Sequence, residues 1–400
     1  MPASSSLYHA VLAQLKRVTA AQPVRVTSLA RLALLVTGII AARSCVLAQV
    51  AHELQALGLS PAQAESIARR LRRTLNDPRL TATQLYRPAL AAALDWTSLR
   101  RQPLWLVLDE SSHSDQLHLL RVSLPYWGHS LPLAWDLWPQ NEPYDAYWQT
   151  LDEVLEAVAS WLPAHDDVRV LADRAYDIPD FLDRVAAHGW HWIVRCKARS
   201  ALRFRSLQGQ EVALAALLEQ HLPGPGHRFK ARGQVFKKAG WRDASVVAVW
   251  AQGQAEPLVL LSDLPPRWAL VRDYQRRAWI EPGFRSDKRG GWHWEDSQVQ
   301  GVAHHRTLLL ALAWASLLML CLGVPGAQHA LQQPQRRCLQ PHDHPRASLF
   351  TLGLRRVRAW LYQSCPVQLD WHLPEVPAPS WNDRWRAAHI HAHLRLSVRP

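Results

Sequence analysis

Methionine is nearly missing, with two residues in 400, and the five cysteines (Cys45, Cys196, Cys321, Cys338 and Cys365) are scattered and odd in number. No pair of them has the C-x-x-C spacing, which excludes a zinc ribbon, argues against a disulfide scaffold and points to a reducing cytoplasm. Glycine and proline, 17 and 27 residues, show no collagen-like period. Neither a glycine-rich phosphate loop nor a Ser/His/Asp set is present. The first residues, MPASSSLYHAVLAQLKR, lack a charged stretch leading into an apolar core, so no secretory signal is expected. Long apolar runs are also scarce. Only 307–323 (TLLLALAWASLLMLCLG) passes 17 residues without a charge, and the next candidate, 32–42, is bracketed by Arg31 and Arg43. One run at the lower edge of spanning length reads the same as a helix buried on all sides in a large core. The buried helix is the reading adopted, with no membrane partner.

Acidic side chains are the minority, 33 against 46 Lys and Arg, for a net charge of +13 and a pI near 10. A basic chain of this kind points to a polyanion. The distribution is uneven: successive hundreds carry +8, −7, +5 and +7, so one acidic segment lies inside a basic chain. Such a layout suits a protein that grips phosphate while holding divalent cations. With 48% hydrophobic and 20% charged residues the chain folds, and its length predicts two or three domains.

Residues 1–100 read as helical. Ser60-Pro61-Ala62-Gln63 resembles a capped helix start, followed by Ile67, Leu71 and Leu75 and stopped by Asn76-Asp77-Pro78. Arg69, Arg70, Arg72 and Arg73 lie on its other faces, suited either to phosphate tracking or to plain solvation. From 101 the pattern turns to strands: 104–108 (LWLVL), 116–123, 130–137, 168–172 (VRVLA) and 191–197. Helices are expected at 147–162 and 178–188 between them, which gives a mixed α/β sheet. Residues 198–262, with Pro-Gly breaks and strand-like runs, read as an insertion. Helix resumes at 272–279 and 307–323, and the tail from about 325 offers one helix near 348–362. His389, His391 and His393 in that tail read as a solvated terminus.

Two aspartates follow buried runs: LWLVL ends on Asp109 and VRVLA on Asp173. Ends of strands in α/β sheets gather ligand sites, and hard cations such as Mg²⁺ take carboxylate oxygens. Tyr274, Arg277, Glu281 and Lys288 then follow the spacing Y-x2-R-x3-E-x6-K. On one helix these offsets fall within a stripe of roughly 60°. Pro282 directly after Glu281 puts a kink before Lys288.

With these motifs the chain resembles the DDE transposases of the insertion sequence 4 family, whose signature is that Tyr-Arg-Glu-Lys spacing. Leu171-Ala-Asp-Arg-Ala-Tyr176 resembles the family's second-aspartate motif and Leu108-Asp109 its first. The resemblance covers about 25–325. It implies an α/β fold, an RNase H-like mixed sheet with a helical N-terminal region and a β-rich insertion before the last catalytic helix. It divides the chain into a DNA-binding region at 1–100, a catalytic core at 101–197 and 263–325, the insertion at 198–262, and a partly helical tail at 326–400 given to assembly. Asp109, Asp173 and Glu281 would be the catalytic and metal-holding carboxylates for two Mg²⁺, with Mn²⁺ substituting. Tyr274, Arg277 and Lys288 would hold the phosphates of the transposon end, with Arg69, Arg70, Arg72 and Arg73 binding DNA further out. Trp241 or Trp250 would stack on an extruded base or, more simply, pack the core. The implied protein acts on double-stranded DNA as a homodimer at the nucleoid, cutting and joining strands. The rival is an inactive or domesticated relative that binds DNA without cutting.

Overall fold

The computed structural model of the chain describes residues 3–21, 24–113, 116–142, 144–197, 201–332, 348–363 and 369–373. His389, His391 and His393 lie outside them, as do Cys338 and Cys365. The first hundred residues form α1 (Ala3–Val18), α2 (Val26–Ala42), α3 (Leu47–Ala56) and α4 (Ala64–Leu75), then α5 (Arg87–Ala93) and α6 (Trp96–Leu99). Strands β1 (Leu104–His113), β2 (Leu117–Tyr126) and β3 (His129–Pro139) follow, then α7 (Tyr144–Ala159), β4 (Val168–Ala172), α8 (Pro179–Ala187) and β5 (His191–Arg195). Next come β6 (Arg203–Ser206), β7 (Glu211–Ala213), α9 (Leu214–His221), β8 (Arg228–Val235), β9 (Arg242–Val249) and β10 (Leu258–Ser262). The chain continues through α10 (Ala269–Tyr274), α11 (Ile280–Asp287), α12 (Val302–Gln332) and α13 (Leu349–Gln363).

All ten strands join one sheet in the order β3-β2-β1-β4-β5-β10-β9-β8-β6-β7. The first three form an antiparallel meander, whereas β4 runs parallel to both β1 and β5, as a strand–helix–strand connection demands. This five-strand order is the RNase H-like arrangement. Strands β6 to β10, which occupy most of 198–262, do not form a separate body. They extend the same sheet, because β10 pairs antiparallel with β5 on one side and with β9 on the other.

Two local expectations need correcting. The helix expected to start at Ser60-Pro61 begins at Ala64, because the Ser60 hydroxyl accepts from the Ala62 amide and closes a turn instead. In addition, β1 does not stop at Asp109. It runs on to His113, paired with β2, although its pairing with β4 ends at Val107.

The 307–323 run lies within α12, and residues 307–324 of that helix are buried throughout by protein. That helix packs against α2 and α4 of the helical region, β3 of the sheet and α13. The crossing with α13 is close on both sides. A Cβ on Gly323 would meet the Leu349 carbonyl oxygen at 2.1 Å, and one on Gly353 would meet the Met319 carbonyl oxygen at 2.0 Å. One core therefore serves the helices and the sheet together.

Candidate active site

The pairing pattern of β1 places the first carboxylate. Asp109 opposes Arg121 of β2, two residues past the point where β1 leaves β4, and Asp173 comes directly after the last residue of β4. Both carboxylates thus sit at the carboxyl end of the parallel pair, where diverging backbones leave room for a ligand.

The third carboxylate arrives on the segment 269–288, which is not one helix. After α10 the chain tightens into a 3₁₀ helix over Gln275–Trp279 and relaxes into α11 at Ile280. Pro282 sits in the first turn of α11, where its missing N–H costs no hydrogen bond, and the helix runs on through it to Asp287. Gly283 lets α11 lie against β3: a Cβ there would meet the Ser130 hydroxyl at 2.1 Å. The segment is fastened independently by Asp273, whose carboxylate accepts from Arg169 at 2.7 Å and from Arg276 at 3.1 Å. The Arg276 guanidinium also lies 3.7 Å over the Trp105 ring.

The guanidinium of Arg277 collects the three carboxylates. Its Nη2 donates to Asp109 Oδ2 at 2.8 Å and lies 3.7 Å from Asp173 Oδ2, while Nη1 donates to Glu281 Oε1 at 3.1 Å. The side chains grade outward in exposure, with Asp109 at 15%, Arg277 at 17%, Asp173 at 31% and Glu281 at 44%. Asp173 is also oriented by the Ala175 amide, which donates to its Oδ1 at 2.7 Å. Burial pushes the Asp109 carboxyl up to about 6, opposed by Arg277 and reinforced by Asp173. Burial works against the Arg277 charge, but Asp109, Tyr274, Asp173 and Glu281 outweigh it and hold the guanidinium above its ordinary value.

Among the described residues no three His, Cys, Asp or Glu side chains form a group ready to hold a metal ion. The donor chemistry of this cluster nevertheless fits hard divalent cations, since Asp109, Asp173 and Glu281 offer oxygen only. A positive group already stands among them.

The other members of the spacing behave differently. Tyr274 is buried beside the cluster, and burial raises its phenol above the ordinary value, with Arg277 and Arg195 opposing. Lys288 ends α11 and turns away: its Nζ lies 3.1 Å from Glu295 Oε1. Arg69, Arg70, Arg72 and Arg73 are all exposed on α4, far along the chain from the carboxylates and in no ion pair among the described residues. Trp241 lies under the Arg205 guanidinium at 4.5 Å, and the Trp250 indole donates to the Gln254 carbonyl; the two flank β9, half-buried.

Two further residues lie beside the site: Tyr176, which closes the Leu171-Ala-Asp-Arg-Ala-Tyr176 motif, and Arg195, which no motif marks. Tyr176 is buried within the field of Asp109, Glu110 and Asp173, and burial raises its phenol. Arg195 ends β5, and its Cα register with Leu260, Val247 and Lys230 puts four residues of successive strands in one row on one sheet face. In the β4–β5 pairing Ala172 opposes Val194, so the row leads toward Asp173. The signal for Arg195 was its position at a strand end, which carries no meaning until the pairing is known.

Among curated proteins none matches the chain. One solved structure with a partial likeness is the Argonaute of Kluyveromyces polysporus with a guide RNA, at 11% identity and a TM-score of 0.21, over 55% of this chain and 32% of that one. The chain thus spans about a third of that structure's length, and a likeness so slight carries no argument. The family described as the transposase DDE domain matches residues 90–318, a stretch that contains Asp109, Asp173 and Glu281, and the chain belongs to that family.

Proposed function

We propose that the protein is a DNA transposase of the insertion sequence 4 group, hydrolysing phosphodiester bonds at the ends of its element and joining them to target DNA. The observation that carries this reading is the convergence of Asp109, Asp173 and Glu281, from a strand, a strand end and a helix, on one guanidinium. Asp109, Asp173 and Glu281 would hold two Mg²⁺, or Mn²⁺ in its place. When bound, such a pair activates the attacking water or 3′-hydroxyl and stabilises the leaving oxygen. Asp109, the most enclosed of the three, keeps one edge of the site dry, and the more exposed Glu281 closes the side open to DNA. Tyr274 and Arg277 face the phosphate of the scissile strand. Lys288 joins them once DNA draws it from Glu295.

The exposed arginines of α4 supply phosphate grip at a distance, within a helical DNA-binding region over 1–100. Catalytic core segments at 101–197 and 263–325, the inserted strands at 198–262 and an assembly role for 326–400 complete the organisation. Work on paired ends calls for a homodimer on double-stranded DNA at the nucleoid, and no step calls for a membrane.

The test is Glu281→Gln, which keeps volume and hydrogen-bonding capacity and removes the charge. Cleavage of end-bearing DNA in Mg²⁺ is expected to fall by several orders of magnitude while end binding in a gel shift stays at the parental level. A variant that cuts at the parental rate removes Glu281 from the site. A parent protein that binds ends and never cuts in Mg²⁺ or Mn²⁺ replaces the enzyme with a DNA-binding relative.

A further inference from the structure

We propose that Arg277 is a displaceable counter-ion, which holds Asp109, Asp173 and Glu281 together in the metal-free protein and has to leave them before divalent cations can bind. This rests on the metal-dependent reading above and adds a step that precedes it. The three carboxylates come from β1, the end of β4 and α11, and one guanidinium touches them all through Nη1 and Nη2. Without it, three like charges would face one another across a partly enclosed site, and each would push the others outward.

Two features separate this contact from a permanent structural bridge. The first is openness. The buried pair Arg121–Asp287 nearby is 4% and 6% exposed, whereas Asp173 and Glu281 face water and are open to ions. The second is anchorage. The segment carrying Arg277 is fastened by Asp273 to Arg169 and Arg276, and by Arg276 to Trp105, so the guanidinium can depart without releasing its backbone. Charge adds a direction: one guanidinium against three carboxylates leaves the cluster negative, and two divalent cations neutralise it more fully. The displaced fork, planar and permanently charged, suits a phosphate.

The test uses the full chain with Mg²⁺ alone as the probe, before any DNA is added. In protein carrying ¹⁵Nε-arginine, the Arg277 resonance, identified by its loss in Arg277→Lys, is expected to move as Mg²⁺ saturates. Calorimetry is expected to give a Kd for Mg²⁺ roughly tenfold tighter in Arg277→Lys, which keeps the charge and loses the fork; tenfold corresponds to about 1.4 kcal/mol. Arg277→Gln should bind at least as tightly as Arg277→Lys, and in EDTA it should melt below the parent. If Arg277→Lys binds Mg²⁺ as the parent does and only Arg277→Gln is tighter, the effect is plain charge repulsion and the proposal fails. An Arg277 resonance that stays put at saturation overturns it without any variant having to fold. A parent that binds neither Mg²⁺ nor Mn²⁺ overturns the metal-dependent function and this inference together, whereas normal binding with an unmoved Arg277 overturns the inference alone.

Discussion

Arg121 reaches from β2 to Asp287 at the end of α11, 2.6 Å from nitrogen to oxygen, with both side chains almost wholly withdrawn from water. The same guanidinium lies 4.9 Å over the Phe284 ring. Beside it the imidazole of His129 and the Ser286 hydroxyl share a 3.0 Å hydrogen bond. This polar patch underlies the helix that carries Glu281. Removing one partner of a buried pair strands the other, so Asp287→Ala should cost about 3–5 kcal/mol in urea unfolding at neutral pH. Replacing both, Arg121→Met with Asp287→Leu, should cost far less than the two single changes together. A loss below about 0.5 kcal/mol for Asp287→Ala, the size of a surface substitution, would show that the pair holds nothing. None of this was legible in the sequence, since Arg121 sits in a run that reads as an ordinary strand and Asp287 carries no motif. Asp109 and Asp173 were legible because an apolar run stops at each. What neutralises them was not, because residue spacing assigns a helix face and says nothing of which opposite charge will occupy it.

At the scale of elements, the junction between the sheet and α12 depends on a buried histidine held neutral. His305 accepts from the Trp294 indole through Nδ1 at 3.0 Å, and its Nε2 donates to the Val299 carbonyl at 2.9 Å. Protonating Nδ1 would set two donors against each other. Burial lowers the His305 pKa from 6.5 to about 4, with His113 and His304 adding to the effect and the Val299 bond opposing it. The unfolded chain therefore takes up this proton first as pH falls. The stability tied to the neutral ring is complete above about pH 6.5 and is lost as pH drops toward 4, a change of about 3 kcal/mol. Unfolding free energies measured from pH 7 to 4 should fall more steeply for the parent than for His305→Gln; parallel curves would refute the assignment. Elements also mark where sequence periodicity misled. Five residues of 3₁₀ helix turn about 20° more per residue than α-helix, so the stripe drawn from Tyr274 to Lys288 rotates partway along. It then runs past the end of α11, and Lys288 meets Glu295 instead of the carboxylates.

For the molecule as a whole, the decisive fact is that β6 to β10 continue the sheet formed by β1 to β5. Val247 of β9 is fully buried between β10 and β8, and β10 in turn holds β5. Val247→Ala should cost on the order of 2 kcal/mol. Hydrogen exchange should register that loss equally at the amides of Val247 and Val194, in one cooperative transition. Two separate transitions, with Val194 unaffected, would make the insertion an independent unit. That continuity was hidden from the sequence because Pro-Gly breaks look alike whether the strands beyond them rejoin the sheet or leave it. The placement of α12 has a consequence for how the protein is made. Synthesis runs from the N-terminus, so the helix at the centre of the core is produced after α2, α4 and β3, and before α13 and Trp371, which packs on its Trp314. Until it has cleared the ribosome, α2, α4 and β3 hold toward water the apolar surface that it later covers, and surface of that kind favours aggregation. A message broken before the codon for Val302 is therefore expected to yield a chain whose α2, α4 and β3 keep that apolar surface uncovered, and such a fragment should be degraded or aggregate rather than accumulate.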